Sequence, residues 1–160
     1  MKKILIFTAT IISVSVSTYS CKKDKATDNS LYNEITSANY SYYKSGNILS
    51  AAAASPHGSF KLKINALAQS VLDSNWKVIN GKTFPDGAII VKEIYDGSNL
   101  SLYAIMKKDA NHKDAGSGWV WSEIKPGGSV AYSTGKKGSD CITCHNGSPN
   151  HDLVRTFDLH

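Results

Sequence analysis

Methionine is nearly absent from this sequence: of its two, one is the initiator and the other is Met106. Cysteine is scarce as well, at positions 21, 141 and 144 only. A zinc ribbon needs a second Cys or His pair to complete four ligands, and Cys21, the only other cysteine, has a different role. No apolar run reaches the length of a membrane-spanning helix, the longest being Ile4 to Val16. Basic residues outnumber acidic ones 18 to 13, yet they stand singly or in pairs such as Lys107-Lys108 and Lys136-Lys137. Solvated faces follow from that pattern, not a nucleic-acid footprint.

Against these absences stands Cys141-Ile142-Thr143-Cys144-His145. Two thiols three positions apart, with a histidine directly after the second, form the attachment signature of a c-type haem. Each thiol adds to one porphyrin vinyl, and the adjacent imidazole falls beneath the ring, so His145 is the expected iron ligand. A thioredoxin-like pair belongs on a strand-to-helix turn inside a βαβ pattern, which a pair this near the chain end cannot build. A disulfide between positions three apart closes too short a loop to stabilise much. One covalent haem c is therefore the expected cofactor.

The first residues address the chain. Met1-Lys2-Lys3 supplies a positive start, Ile4 to Val16 an apolar stretch, and Ser17 to Ser20 a mostly small, polar stop before Cys21. This reads as a secretory signal peptide over residues 1–20, with Cys21 where a bacterial lipoprotein carries its acyl chains; cleavage without acylation is the alternative. Residues 21–30 hold no apolar residue large enough to pack and read as a flexible tether. An exported, membrane-anchored lipoprotein facing the periplasm or cell surface is expected, in a compartment oxidising enough for haem attachment. Losing Lys2 and Lys3 leaves 16 basic against 13 acidic side chains, a weak bias. Residues 31–160 suffice for one domain with a real core.

Within that domain Leu31, Ile35, Ala38 and Tyr42 recur at helical spacing, which predicts a helix from Leu31 to about Lys44. A second short helix is expected over Asn47 to Ala54, before the turn Ser55-Pro56-His57-Gly58. Phe60 to Ile64 alternates like a strand while Phe60 to Leu72 also fits a helical face; a short extended piece and then a helix from Asn65, as N-cap, to Ser74 is the reading adopted. Beyond the turn at Phe84-Pro85-Asp86-Gly87, three strands follow: Ala88 to Tyr95, Leu100 to Met106 and Trp119 to Ile124. Pro126-Gly127-Gly128 is expected to end this antiparallel meander. The fold class is α+β, a mostly antiparallel β-sheet with flanking helices and the haem motif near the C-terminus.

The strand from Ala88 to Tyr95 is apolar on both faces, which implies burial on both, yet it carries Lys92 and Glu93. A buried ammonium costs several kcal/mol unless paired or neutralised, and a neutral amine is nucleophilic. Lys92 is thus a snorkelling edge residue, a partner for a haem propionate or a reactive amine. No methionine follows His145, so the sixth iron position is expected to be open; Met106, His57, His112, His151 and His160 are the alternatives, with surface roles the ordinary reading of the histidines.

Taken in order, Ser55-Pro56-His57-Gly58, Phe84-Pro85-Asp86-Gly87 running on to Val91-Lys92-Glu93, Gly116-Ser117-Gly118-Trp119-Val120-Trp121 and the haem motif resemble the cytochrome P-460 family, which includes the cytochromes c′-beta. The resemblance implies one c-type haem, a five-coordinate iron, and oxidation or binding of hydroxylamine or nitric oxide. It also implies, in one branch, a lysine joined covalently to the porphyrin edge, for which Lys92 is the matching position. That branch resembles a site with a pocket carboxylate as proton acceptor. Val130 to Gly135 offers none, Asp140 is expected to point to solvent, and Glu93 and Glu123 remain. Phe60, Phe84 and Trp121 are the candidates for an aromatic distal wall, with core packing the competing role. Partners expected are a small nitrogen ligand, a redox-partner cytochrome, the membrane through a lipid, and a second copy as a homodimer. A membrane-tethered electron-transfer cytochrome is the alternative function.

Overall fold

The computed structural model describes residues 18–37, 39–53, 55–155 and 157, with only the backbone of residues 18–24. The expected signal peptide falls almost wholly outside these residues, as does the Cys21 side chain. Among the described residues no helix is long and apolar enough to cross a membrane.

A six-stranded antiparallel sheet in the order β1 to β6 organises the chain. Its strands are β1 (Ser41–Tyr42), β2 (Ser59–Ile64), β3 (Ile89–Asp96), β4 (Asn99–Lys108), β5 (Trp119–Ile124) and β6 (Val130–Tyr132). Helix α1 (Thr18–Ser37) precedes the sheet, α2 (Ala66–Gln69) lies in the β2–β3 connection, and α3 (Ser139–His145) carries the Cys-x-x-Cys-His motif. The fold is α+β.

Both faces of β3 are covered, as its apolar pattern requires. Ile89 and Val91 pack with Leu31 and Ile35 of α1, Ile105, Val120 and Ile124. Ile90 belongs to the opposite cluster with Phe60, Leu62, Met106, Trp119 and Trp121. Glu93 lies on the α1 side, where Lys63 meets it at 2.8 Å and Tyr42 donates to it at 3.1 Å. Lys92 lies on the other.

Several expectations are corrected. The stretch 21–30 is helical, and its end is packed, not a free tether: Asp28 is 1 % exposed. It accepts from the Ser122 and Ser133 hydroxyls, each at 2.8 Å, and from the Thr134 amide at 3.0 Å. Lacking a large apolar side chain, the segment is anchored by hydrogen bonds, which hydrophobicity does not register. Helix α1 ends at Ser37, and Tyr42 lies in β1. No helix forms over the described part of 47–54; Leu49 instead exchanges backbone bonds with Phe60. Asn65 does cap α2, accepting from the Ala68 amide at 2.9 Å, but the helix closes after four residues. Pro126-Gly127-Gly128 does not end the sheet; it turns the chain into β6.

Candidate functional site

Antiparallel pairing sets residues of neighbouring strands side by side on one face, about 4.8 Å apart per strand. Leu62 pairs with Lys92, Lys92 with Ala104, Ala104 with Glu123, and Glu123 with Tyr132. One row across the sheet therefore reads Leu62, Lys92, Ala104, Glu123, Tyr132. The next row reads Ile64, Ile90, Met106, Trp121. Ala104 leaves a gap between the long side chains of Lys92 and Glu123, and α3 lies over that gap.

Between sheet and helix runs a cavity of about 480 Å³, counting its open mouth. Its lining includes Ile90, Lys92, Ala104, Met106, Trp121 and Glu123 from the sheet, Cys141 and His145 from α3, and His57, Val154 and Arg155 from loops. Its mixture of apolar walls with a few converging polar groups is that of a ligand or cofactor site.

The site holds His145 firmly. Its Nδ1 bonds the Leu153 carbonyl at 2.8 Å, and its ring stands edge-on to Trp121 with centroids 4.9 Å apart. Leu153 sits at φ 68°, a left-handed conformation that turns its carbonyl toward the imidazole. Neighbouring Asp152 is pinned by Lys108 at 2.7 Å, and its carbonyl accepts from the Trp119 indole at 3.0 Å. A backbone carbonyl on Nδ1 selects the tautomer and leaves Nε2 as the metal-binding nitrogen. Burial, then the charges of Lys92 and Arg155, lower the His145 pKa against the pull of that carbonyl. The neutral, ligating form is the favoured one.

Cys141 and Cys144 are free and three residues apart on α3. Cys141 lines the cavity, and burial pushes its thiol up to about 11; Cys144 is exposed. Gly138, at φ 69°, begins this helix where a Cβ would overlap the Trp121 ring. Only glycine lets α3 approach the sheet so closely.

Lys92 lines the cavity with its ammonium 4.4 Å from the centre of the Phe60 ring. Burial, and secondarily Arg155, pull its pKa from 10.5 to about 8. Among the described residues no carboxylate pairs with it. His57 is lowered to about 4 by burial first, then by Lys92 and His145. Burial raises Glu123, with Lys136 opposing. Its carboxylate stands 3.9 Å from His57 Nδ1, beyond hydrogen-bond range.

The sequence-derived candidates separate accordingly. Lys92, Trp121, Glu123, Met106, His57, Cys141 and His145 converge on one cavity. Phe60 and Phe84 do not line it: Phe60 is fully buried beneath Lys92, and Phe84 packs against Trp119 at 5.6 Å. Core packing wins for both, so Trp121 alone of the proposed aromatic wall faces the cavity. Glu93 is removed by strand parity, on the far face. Asp140 points to solvent, with 69 % of its side chain exposed. His112 lies on the α1 side among Glu34, Lys107 and Asp109; His160 is outside the described residues. Arg155 was not foreseen, although it is the only arginine of the sequence and stands ten positions after His145.

These residues fit a haem. The cavity is apolar-walled, an imidazole offers Nε2 into it, thiols stand at its α3 edge, and Lys92 and Arg155 are cations suited to propionates. A family model described as Cytochrome P460 matches residues 71–156, more than half of the chain. No curated protein matches it.

Proposed function

The chain belongs to the cytochrome P460 family and is a haem-binding cytochrome; from that premise we propose that it carries a single covalent haem on Cys141 and Cys144, with His145 on the iron, and binds or oxidises a small nitrogen species such as hydroxylamine or nitric oxide. The observation that carries this reading is the single cavity shared by His145, Lys92 and Glu123. A bound haem supplies an iron for the ligand and a place for electrons taken from it. The chain's own residues do the rest. Glu123, whose pKa is raised by burial, is the carboxylate placed to accept a proton from a hydroxylamine-sized substrate, a contribution worth about 10²–10⁴-fold. Trp121 and Ile90 exclude water. Lys92, whose pKa burial pulls down to about 8, is the amine matched to the porphyrin-linked lysine, and it reacts through the minor unprotonated fraction present at neutral pH; haem mass on a proteolytic peptide containing Lys92 identifies that bond.

The test is steady-state oxidation of hydroxylamine by the holoprotein with an artificial one-electron acceptor, in wild type and Glu123→Gln. Turnover in the wild type and a loss of about 10²-fold or more in the variant support the oxidising reading. Binding of nitric oxide without turnover places the protein in the gas-binding branch, and no response to either ligand refutes the proposal. Met106 also lines the cavity, and a thioether there is what favours the alternative, a membrane-tethered electron-transfer cytochrome. Export by residues 1–20 and acylation at Cys21 remain part of the proposal, as do periplasmic or cell-surface placement, a redox-partner cytochrome and a homodimer.

A further inference from the structure

The carbonyl that holds His145 belongs to a turn under constraint. His151 and Val154 exchange backbone hydrogen bonds in both directions, each at 2.9 Å, and close a turn whose central residues, Asp152 (φ 52°) and Leu153 (φ 68°), are both left-handed. Glycine and asparagine are the ordinary occupants of such positions; a leucine stays there only when its surroundings impose it. Asp152 shows what imposes it. Its carboxylate accepts from Lys108 Nζ at 2.7 and 2.8 Å, the second of these oxygens also accepts from the Phe84 amide at 3.3 Å, and its carbonyl accepts from the Trp119 indole at 3.0 Å. Lys108, at the end of β4, is mostly buried together with its partner, and its ammonium lies 5.0 Å from the centre of the Trp119 ring. Gly118, at φ 82°, leaves room for it, since a Cβ there would stand 3.3 Å from Lys108 Nζ. The next carbonyl along the chain, that of Leu153, accepts from His145 Nδ1 at 2.8 Å.

We propose that Lys108 is a positioning residue for the iron ligand: by gripping Asp152 it fixes the Leu153 carbonyl on His145 Nδ1, and through that bond it sets how strongly the imidazole donates to the iron. This deepens the haem-binding reading above and rests on it. A carbonyl that accepts from Nδ1–H makes the imidazole more basic, which favours the ferric over the ferrous state. Without the grip of Lys108 the turn relaxes, the bond to Nδ1 weakens and the one-electron reduction potential rises. Bare electrostatics predicts the opposite sign. Removing the ammonium while Asp152 keeps its charge leaves an unpaired carboxylate near the site, and a negative charge there lowers the potential. The neighbouring Lys107 supplies the control, because it faces the α1 side and pairs with Glu34 at 2.8 Å.

The test is redox titration of the purified holoprotein, with resonance Raman spectra of its ferrous form, for wild type, Lys108→Met, Lys108→Arg and Lys107→Met. In Lys108→Met the ferric–ferrous equilibrium should move toward ferrous by about tenfold, which is about 59 mV upward for one electron, and the iron–histidine stretch should fall in frequency. Lys108→Arg keeps a donor for Asp152 and should lie near wild type, while Lys107→Met should move neither reading. Lys108→Gln, which keeps one N–H donor, should fall between wild type and Lys108→Met, and it serves as the test where Lys108→Met does not accumulate. A potential that is unchanged or lowered in the Met and Gln variants, or raised equally by Lys107→Met, overturns the inference. Neither reading needs turnover, so both can fail while reactivity toward hydroxylamine or nitric oxide stands. A chain purified from a haem-attaching host without any covalent haem overturns both proposals.

Discussion

Replacing Asp28 by alanine should destabilise the fold although it removes no apolar contact from α1. The carboxylate is buried and accepts three hydrogen bonds, two of them tying α1 to Ser133 and Thr134, the segment that leads into α3. The three donors lose unequally. The Ser122 hydroxyl has a second acceptor, the Tyr132 carbonyl at 3.0 Å, and can turn to it. The Ser133 hydroxyl is only partly buried and can find water. The Thr134 amide is buried, and its orphaning costs about 1–3 kcal/mol. Adding the charge-assisted bonds lost, and subtracting the burial cost of the charge that disappears, leaves about 2–4 kcal/mol for Asp28→Ala. Asp28→Asn keeps one acceptor oxygen and should cost about half as much, and Ser122→Ala less than about 1 kcal/mol. Urea unfolding of the holoprotein followed by circular dichroism reads these differences as midpoint shifts at constant slope. A loss below about 0.5 kcal/mol for Asp28→Ala would mean that α1 does not hold the haem-bearing segment, and the hydrogen-bond argument would be wrong.

Two further predictions concern the cavity. In the haem-free Cys141→Ser/Cys144→Ser chain, Lys92 has a folded pKa of about 8 against 10.5 unfolded. Its depressed value means that charging it costs stability in full below pH 8, and that this cost fades as pH rises toward 10.5. Lys92→Met should therefore stabilise the chain at pH 7 by up to about 3 kcal/mol and confer no such gain near pH 10.5, as measured by urea midpoints; a pH-independent difference would refute the assigned burial. Gly138→Ala adds a Cβ against the Trp121 ring at a left-handed φ, and should cost about 2–4 kcal/mol and lower haem incorporation, read as the ratio of Soret to protein absorbance.

The most local signals were the most legible in the sequence. The haem motif is a contiguous pattern, and β3 announced itself by β-branched residues on both faces. The turn before β3 and the Asn65 cap followed from side-chain chemistry of one or two residues. Parity then decided between neighbours, since Lys92 and Glu93 must face opposite ways; which of them meets the haem motif needed the packing of α1 onto the other face. Glu123 became a cavity residue only through register, because its place beside Ala104 and across from Lys92 depends on two strand pairings. Phe84 and Phe60 were misplaced because a large aromatic side chain fits a core or a pocket wall equally well by composition. The packed end of the 21–30 stretch was invisible for a different reason: its anchor is one carboxylate, and the donors that satisfy it lie about a hundred residues away.

The central claim is that one cavity unites a covalently held haem, the His145 ligand and a face that a small nitrogen ligand can reach. The electronic spectrum of the reduced, purified holoprotein before and after adding nitric oxide tests it most directly. Expected are a haem spectrum that survives denaturation and organic extraction, as a covalent linkage requires, and a Soret band that shifts on ligand addition. A haem that extracts freely, or a reduced spectrum that nitric oxide leaves unchanged, would contradict it.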